Sequence, residues 1–217
     1  MSWATSHVGE ILSDTGTHLF LAILPVLLGL IVSIPLGWLA SRYRVARSIL
    51  IPLGGILYTI PSLVLLVVLP VILGTVILDP VNLIVALTIY TMALLIRSIA
   101  DALAAVPENV VAAANAIGYR PFARFTGVEL PLAVPVMFAG LRVATVSNMS
   151  LVSVGALVGI GGLGQLMTDG FQRYNTGELL TSVVVIVVLA LILDGLLVLL
   201  GRALSPWAKA ARAGATA

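Results

Sequence analysis

Two charged residues, Arg142 and Asp194, stand inside long apolar runs and are the first candidates for chemistry in this sequence. An ionised side chain in hydrocarbon is expensive, so it pairs, faces a cavity or serves a transport path. At 1.5 Å per residue, Arg142 lies roughly 16 Å from the start of its run at Pro131, and Asp194 roughly 12 Å from Arg202, just beyond the end of its own. The charge distribution derived below puts both of those ends on one side of a membrane. An Arg142–Asp194 ion pair is therefore geometrically allowed, and a structural pair is favoured over a direct place in a solute path. A second signal is Gly159, Gly161 and Gly164, which spell G-x-G-x-x-G with Glu178 at a plausible ribose-contact spacing. A dinucleotide fingerprint needs a strand before it and a helix after it in a compact βαβ unit. Here an apolar span precedes the glycines and the polar stretch TDGFQRYNTG follows as an outside loop. A glycine-rich bend suited to close packing or gate movement is the better reading. Tyr58 and Tyr90, with Thr59, Thr88 and Thr91 nearby, fall near mid-depth of their runs. They either line a translocation path or pack between helices.

Other chemistry finds no pattern. With no cysteine there is no disulfide framework, thiolate metal site or thiol catalysis. His7 lies in the N-terminal tail and His18 at the edge of the first apolar run, and no carboxylates pair at helical spacing inside the runs. The chain lacks G-x-x-x-x-G-K-[ST], and its only lysine is Lys209. Any ATP hydrolysis must come from another subunit. Neither a metal site nor a nucleic-acid partner is expected.

The elements that must hold these residues follow from composition. Of 217 residues, 60% are hydrophobic and only 9% charged, and the mean hydropathy is +1.18. A soluble globule carries about 25% charged residues. The bilayer is the expected solvent, and an all-α polytopic membrane protein the expected fold class. A transmembrane helix needs about 20 mainly apolar residues. Candidate spans are Leu19 to Ala40, Ser48 to Gly74, Val81 to Ile96, Pro131 to about Val158, and Leu179 to Leu200. The second is too long for one straight crossing and carries Gly54, Gly55, Pro61 and Pro70, so it should be kinked or broken. Five crossings are expected, with six as the rival.

Cytoplasmic loops are enriched in Lys and Arg. Arg42, Arg44 and Arg47 follow the first span; Arg97, Arg120 and Arg124 lie between the third and fourth; Arg202, Lys209 and Arg212 follow the fifth. Five crossings from an outside N-terminus put all of these on the cytoplasmic side, with Arg173 outside. The opposite side carries Glu10, Asp14, Asp79, Asp169 and Glu178. The expected organisation is an extracytoplasmic tail over 1–18, one transmembrane domain over 19–200 that includes the loop 98–130, and a cytoplasmic tail over 201–217. No basic residue precedes the first span, which is also longer than a signal's apolar region, so it is read as a retained helix.

Residues 98–130 then form the largest cytoplasmic loop. Pro107 and Glu108 suit a helix start, and Gly118 suits its end. Pro121 opens a second short helix closing near Gly127, before Pro131 starts the fourth span. A connector lying on the membrane surface would need neither paired caps nor two exposed phenylalanines. A rigid knob presenting Tyr119, Phe122 and Arg124 suits docking to another protein.

This stretch, VAAANAIGYRPFARFTGVELPLA, resembles the loop of ABC-importer permeases, E-A-A-x-x-x-G followed after nine residues by I-x-L-P. Ala113, Ala114, Gly118, Val128, Leu130 and Pro131 are in register, and Ala112 replaces the family's Glu. The stretches TIPSLVLL, LPLAVPVMFAGLRVATV and VGIGGLGQL look like permeases of osmoprotectant importers, and the resemblance covers most of Thr59 to Leu166. It implies the type I importer permease fold in the cell membrane and a loop seated in an ATPase subunit. The coupling residues would be Ala112, Ala113, Ala114, Gly118, Tyr119, Arg120, Pro121, Phe122, Arg124, Leu130 and Pro131. It also implies two ATPase subunits that use ATP and Mg, a second permease, identical or related, and an extracytoplasmic solute-binding protein. This chain itself would bind no cofactor. The solute would be glycine betaine, choline, carnitine or a related compatible solute. Methionine-importer permeases are the nearest rival, and an ion-coupled secondary transporter is the rival of another class.

Overall fold

The computed structural model describes residues 2–207, and every regular element among them is helical. Lys209 and Arg212, assigned above to the basic side, lie outside the described residues. A short α1 (Ser2–Ser6) leads into α2 (Val8–Arg42), which starts eleven residues before the apolar run at Leu19. Then come α3 (Arg44–Thr59), α4 (Ser62–Leu73), α5 (Pro80–Ala104), α6 (Glu108–Ala116) and α7 (Pro121–Arg124). A π turn over Phe125–Glu129 joins α7 to α8 (Leu130–Gly155), which ends in a 3-10 turn, Ala156–Val158. The helices α9 (Leu163–Gln172) and α10 (Thr176–Leu204) complete the chain.

Four helical runs are long and apolar enough to cross a membrane: α2, α5, Pro121–Val158 and α10. The pair α3 and α4 makes a fifth if its two arms count as one broken span. The arms meet at 103°. The break falls at Ile60 and Pro61, both extended, with ψ 125° and 132°. Proline pushes the residue before it out of the α region and removes a donor. Of the breakers noted in the sequence, Pro61 bends the chain, whereas Gly54, Gly55 and Pro70 stay within helices.

The central helix is α5. It buries Leu83, Leu87, Tyr90, Leu95 and Ile99 against α2, α3 and α8. Small residues let the neighbours close on it, as in membrane helix packing generally. A Cβ added at Gly37 of α2 would stand 2.7 Å from Ile99 Cβ, and one at Gly140 of α8 would stand 2.7 Å from Ser98 Cβ. Outward faces, α10 above all, expose Leu and Val, as a lipid-facing surface does.

Two boundaries differ from the sequence reading. The fourth run does not start afresh at Pro131: it begins at Pro121 and continues unbroken to Val158. Leu130 N–H bonds to Phe125 C=O five residues back, and Pro131 lacks the donor that would hold strict α register. The shift in register absorbs both Gly127 and Pro131. The stretch after the glycine cluster is also not simply an outside loop, because Leu163–Gln172 forms α9. Its buried Leu163, Leu166 and Gly170 repeat at helical spacing.

Gly37→Val should destabilise the detergent-solubilised protein by about 1–3 kcal/mol through overpacking. Gly195, where an added Cβ meets nothing within 4 Å, is the control: Gly195→Ala should hold the wild-type melting midpoint in a thermal-shift assay.

Candidate coupling and transport site

The knob at one pole of the bundle is built from α6 and α7. Pro107 precedes α6 as its N-cap, and Gly118 follows its C-terminus at φ +89°. The left-handed geometry at Gly118, strained for any residue with a Cβ, lets Gly118 N–H reach Asn115 C=O at 3.0 Å and Tyr119 N–H reach Ala114 C=O at 3.1 Å. The end is closed as the sequence suggested. Ala112, Ala113, Gly118, Tyr119, Arg120, Pro121 and Phe122 are exposed; Ala114 is buried, and Leu130 and Pro131 are half-buried. Phe122, 75% exposed, is an apolar ring held out from a capped turn.

Two side chains correct the sequence reading. Phe125, the second phenylalanine expected outside, is 9% exposed and packs against Trp38, and Arg124, instead of being presented outward, is 5% exposed. Its Nε donates to Glu129 Oε1 at 2.5 Å, and its Nη1 to Asn115 Oδ1 at 2.5 Å. Sequence reasoning missed Glu129 and Asn115 as its partners. A spacing of five does not place two side chains together on an α-helix, and only the π turn makes them meet.

The charges gather by pole. Arg47 donates to Asp101 at 2.5 Å and Arg97 approaches the same carboxylate at 3.8 Å, which joins the start of α3 to the end of α5 near the knob. At the opposite pole Arg173 bridges Asp169 at 3.1 Å and approaches Glu178 at 3.9 Å. The glycine cluster is there too: Gly159 and Gly162 take φ +84° and +90°, and Gly162 packs on the backbone of the buried His18. A close-packed bend between helices accounts for these glycines, and the flanks of a dinucleotide fold do not surround them.

Within the bundle, Arg142 and Asp194 form a two-pronged pair, Nε to Oδ1 and Nη2 to Oδ2, both at 2.7 Å. It ties α8 to α10, and both ends are partly exposed. Asp194 also lines a mainly apolar cavity of about 750 Å³ between α8, α9 and α10, with Ser150, Ser153, Met149 and Met167 in its wall. Tyr58 and Tyr90 meet edge to face, ring centres 5.6 Å apart. Tyr90 OH donates to Ile60 C=O, the carbonyl freed at the α3–α4 break. Tyr58 and Thr59 are exposed, whereas Thr91 is not on their wall. It is fully buried and accepts from Asn148 Nδ2 at 3.0 Å, while the same amide reaches Ala22 C=O at 3.4 Å, so α2, α5 and α8 share one polar tie. Asn148 carried no signal in the sequence beyond being an amide in an apolar run.

A helical bundle of four to five apolar spans with a capped knob at one pole has the makings of a multi-pass membrane protein. Residues 26–210 match the family described as binding-protein-dependent transport system inner membrane component, and the chain belongs to that family. It is 30% identical over 206 residues to the glycine betaine/carnitine/choline transport system permease protein OpuCB of Bacillus subtilis, covering 95% of this chain and 94% of that one. It is 32% identical over 202 residues to the osmoprotectant import permease protein OsmW of Salmonella typhimurium, covering 92% and 94%. The fold superposes on an inward-facing MetNI methionine ABC transporter with a TM-score of 0.78 and 25% identity, over 89% of this chain and 95% of that one. The type I importer permease fold and the multi-pass membrane location follow.

Tyr90→Phe should cost about 1–3 kcal/mol, because it strands a carbonyl at a broken helix; thermal melting in detergent reads this directly. For the ion pair, Asp194→Ala should lower the yield of folded protein more than Asp194→Ala combined with Arg142→Ala, since the single change leaves an unpaired charge. Size-exclusion of detergent extracts compares the two.

Proposed function

We propose that this chain is the permease subunit of an ATP-driven importer for osmoprotectants such as glycine betaine, choline or carnitine. The observation that carries the reading is the capped, ring-bearing knob at the basic pole of a permease fold whose relatives are named for these solutes. By the bias of basic residues the knob pole is cytoplasmic and the N-terminus is outside. The family supports an ATPase and a solute-binding protein as partners. The assembly we propose pairs two permeases, identical or related, with two ATPases that use ATP and Mg.

The knob, from Ala112 through Phe122, seats in the ATPase, and Phe122 supplies the apolar anchor that such interfaces favour. Closure of the ATPases on ATP drives the knob, and the helices swing between inward-open and outward-open states. The mechanism is alternating access, and nothing in this chain needs to catalyse a reaction. With aromatic residues at only 6% of the chain, a cage of several aromatic faces for a quaternary ammonium belongs to the binding protein. Tyr58 and Thr59, exposed beside the bend, belong to a low-affinity path. A methionine importer is favoured by likeness of fold to MetNI, whereas the relatives at 30–33% identity over more than nine-tenths of the chain include ones named for osmoprotectants, choline and carnitine; one at 33% identity over 76% of the chain is named for ergothioneine. An ion-coupled carrier would need free intramembrane acid, and Asp194 is engaged by Arg142.

The chain has no cysteine, so Tyr119→Cys gives a single label. In right-side-out membrane vesicles, a membrane-impermeant maleimide should leave it untouched until the vesicles are opened. Gly118→Val, which strains the φ +89° turn, and Phe122→Ala should each cut uptake of radiolabelled glycine betaine by roughly tenfold or more, the loss expected when about 1.4 kcal/mol of coupling contact disappears. Labelling from outside, or full uptake in both variants, would overturn the reading.

A further inference from the structure

The knob meets the membrane helices through a small foundation. Among the helical elements α6 rests mainly on α7 and the π turn. A load on Phe122 or Tyr119 would bend this connection unless something makes it stiff. Three side chains occupy the place where stiffness is needed. Asn115 stands on α6, Arg124 ends α7, and Glu129 closes the π turn where α8 begins. Arg124 bonds both others, each at 2.5 Å, and the Arg124 and Glu129 side chains are only 6% and 11% exposed.

The geometry depends on the π turn. In an α-helix, five residues advance the direction of a side chain by about 500°, leaving the two about 140° apart. A ladder of i to i+5 bonds holds more residues per turn and brings the fifth residue round to the same side. The Leu130 N–H to Phe125 C=O bond is such a link. The Tyr119 ring lies over the same turn, 3.6 Å from where a Cβ at Gly127 would stand. Charged, two-sided bonding by guanidinium fixes orientation as well as distance.

We propose that Asn115, Arg124 and Glu129 form a staple that makes the knob and the base of α8 one rigid body, so that displacement of the knob turns α8. Farther along, α8 carries Arg142, bonded to α10, and Asn148, bonded to α2 and α5. A rotation entering at Glu129 therefore reaches every helix that α8 holds. The three are positioning residues: they touch neither solute nor nucleotide. The inference rests on the coupling function proposed above and names the part of the chain that transmits it.

The test uses the whole transporter, this chain with its ATPase and binding protein, reconstituted in liposomes. Glycine betaine uptake and ATP hydrolysis are measured in the same vesicles. Arg124→Leu combined with Glu129→Leu replaces the ion pair by an apolar pair, which a buried site tolerates, and should keep the melting midpoint of wild type. Its transport per ATP hydrolysed should fall at least about fivefold, the lower end of the range typical of energetic coupling between sites. Asn115→Ala should show the same loss, and Asn115→Asp, which keeps an acceptor for Arg124, should retain coupling. If the Leu pair or Asn115→Ala transports with the wild-type ratio, the staple is only a packing feature and the proposal is overturned. If wild type neither binds the ATPase nor moves solute, the proposed function itself fails, and the staple proposal with it.

Discussion

In hydrocarbon no water is available to bond a freed backbone group, and at three places where this chain departs from α-helix the backbone finds a partner inside the protein. At the α3–α4 break the chain is extended at Ile60 and Pro61, which frees the carbonyl of Ile60, and the hydroxyl of Tyr90 satisfies it from α5. At the base of α8 the ladder shifts register but stays closed, with Leu130 bonding Phe125. At the end of α8 the chain turns through glycines, and the amide of Ile160 bonds back to Gly155 at 3.0 Å. These three departures make a bend, a shifted joint and a packed turn.

The same constraint explains the economy of polar groups between helices. The interior of the bundle is held by close backbone approach at small residues, since lipid tails offer apolar surfaces no reason to leave them. Polar ties are few and span elements: Asn148 with Thr91 and Ala22, Tyr90 with Ile60, Arg142 with Asp194. Each fixes rotation and register, which apolar packing alone leaves loose. The result is a core packed around α5, with apolar outer faces available to lipid or to a second subunit.

At the basic pole the division of labour is visible in exposure. Tyr119 and Phe122 are turned out where a partner can meet them, and the cation that seemed equally available, Arg124, is turned in. A charge so placed costs desolvation unless it is paired and hydrogen-bonded, and here a carboxylate and an amide both accept from it. Apolar rings thus stand outside and a bonded cation lies beneath. In the assembly proposed above, this knob is the part through which the ATPase acts on the chain.

Much was readable before any folding was considered. Low charge and long apolar runs require a membrane protein; basic clusters after alternate spans divide its poles; Gly118 marks a helix end because few residues take positive φ. The pairing of Arg142 with Asp194 was also legible, since two lone charges at similar depth have few alternatives. These inferences rest on local composition or on distance along a helix axis, and both survive translation into three dimensions. Whether Arg124 faces out or in depended on a π turn that no residue pattern marks. The inward place of Thr91 depended on Asn148, far away in the chain. The helix over Leu163–Gln172 lay hidden because its apolar face is short and glycine-flanked. Periodicity reports which residues share a face; which partner that face meets is decided only when distant segments compete for the same buried volume.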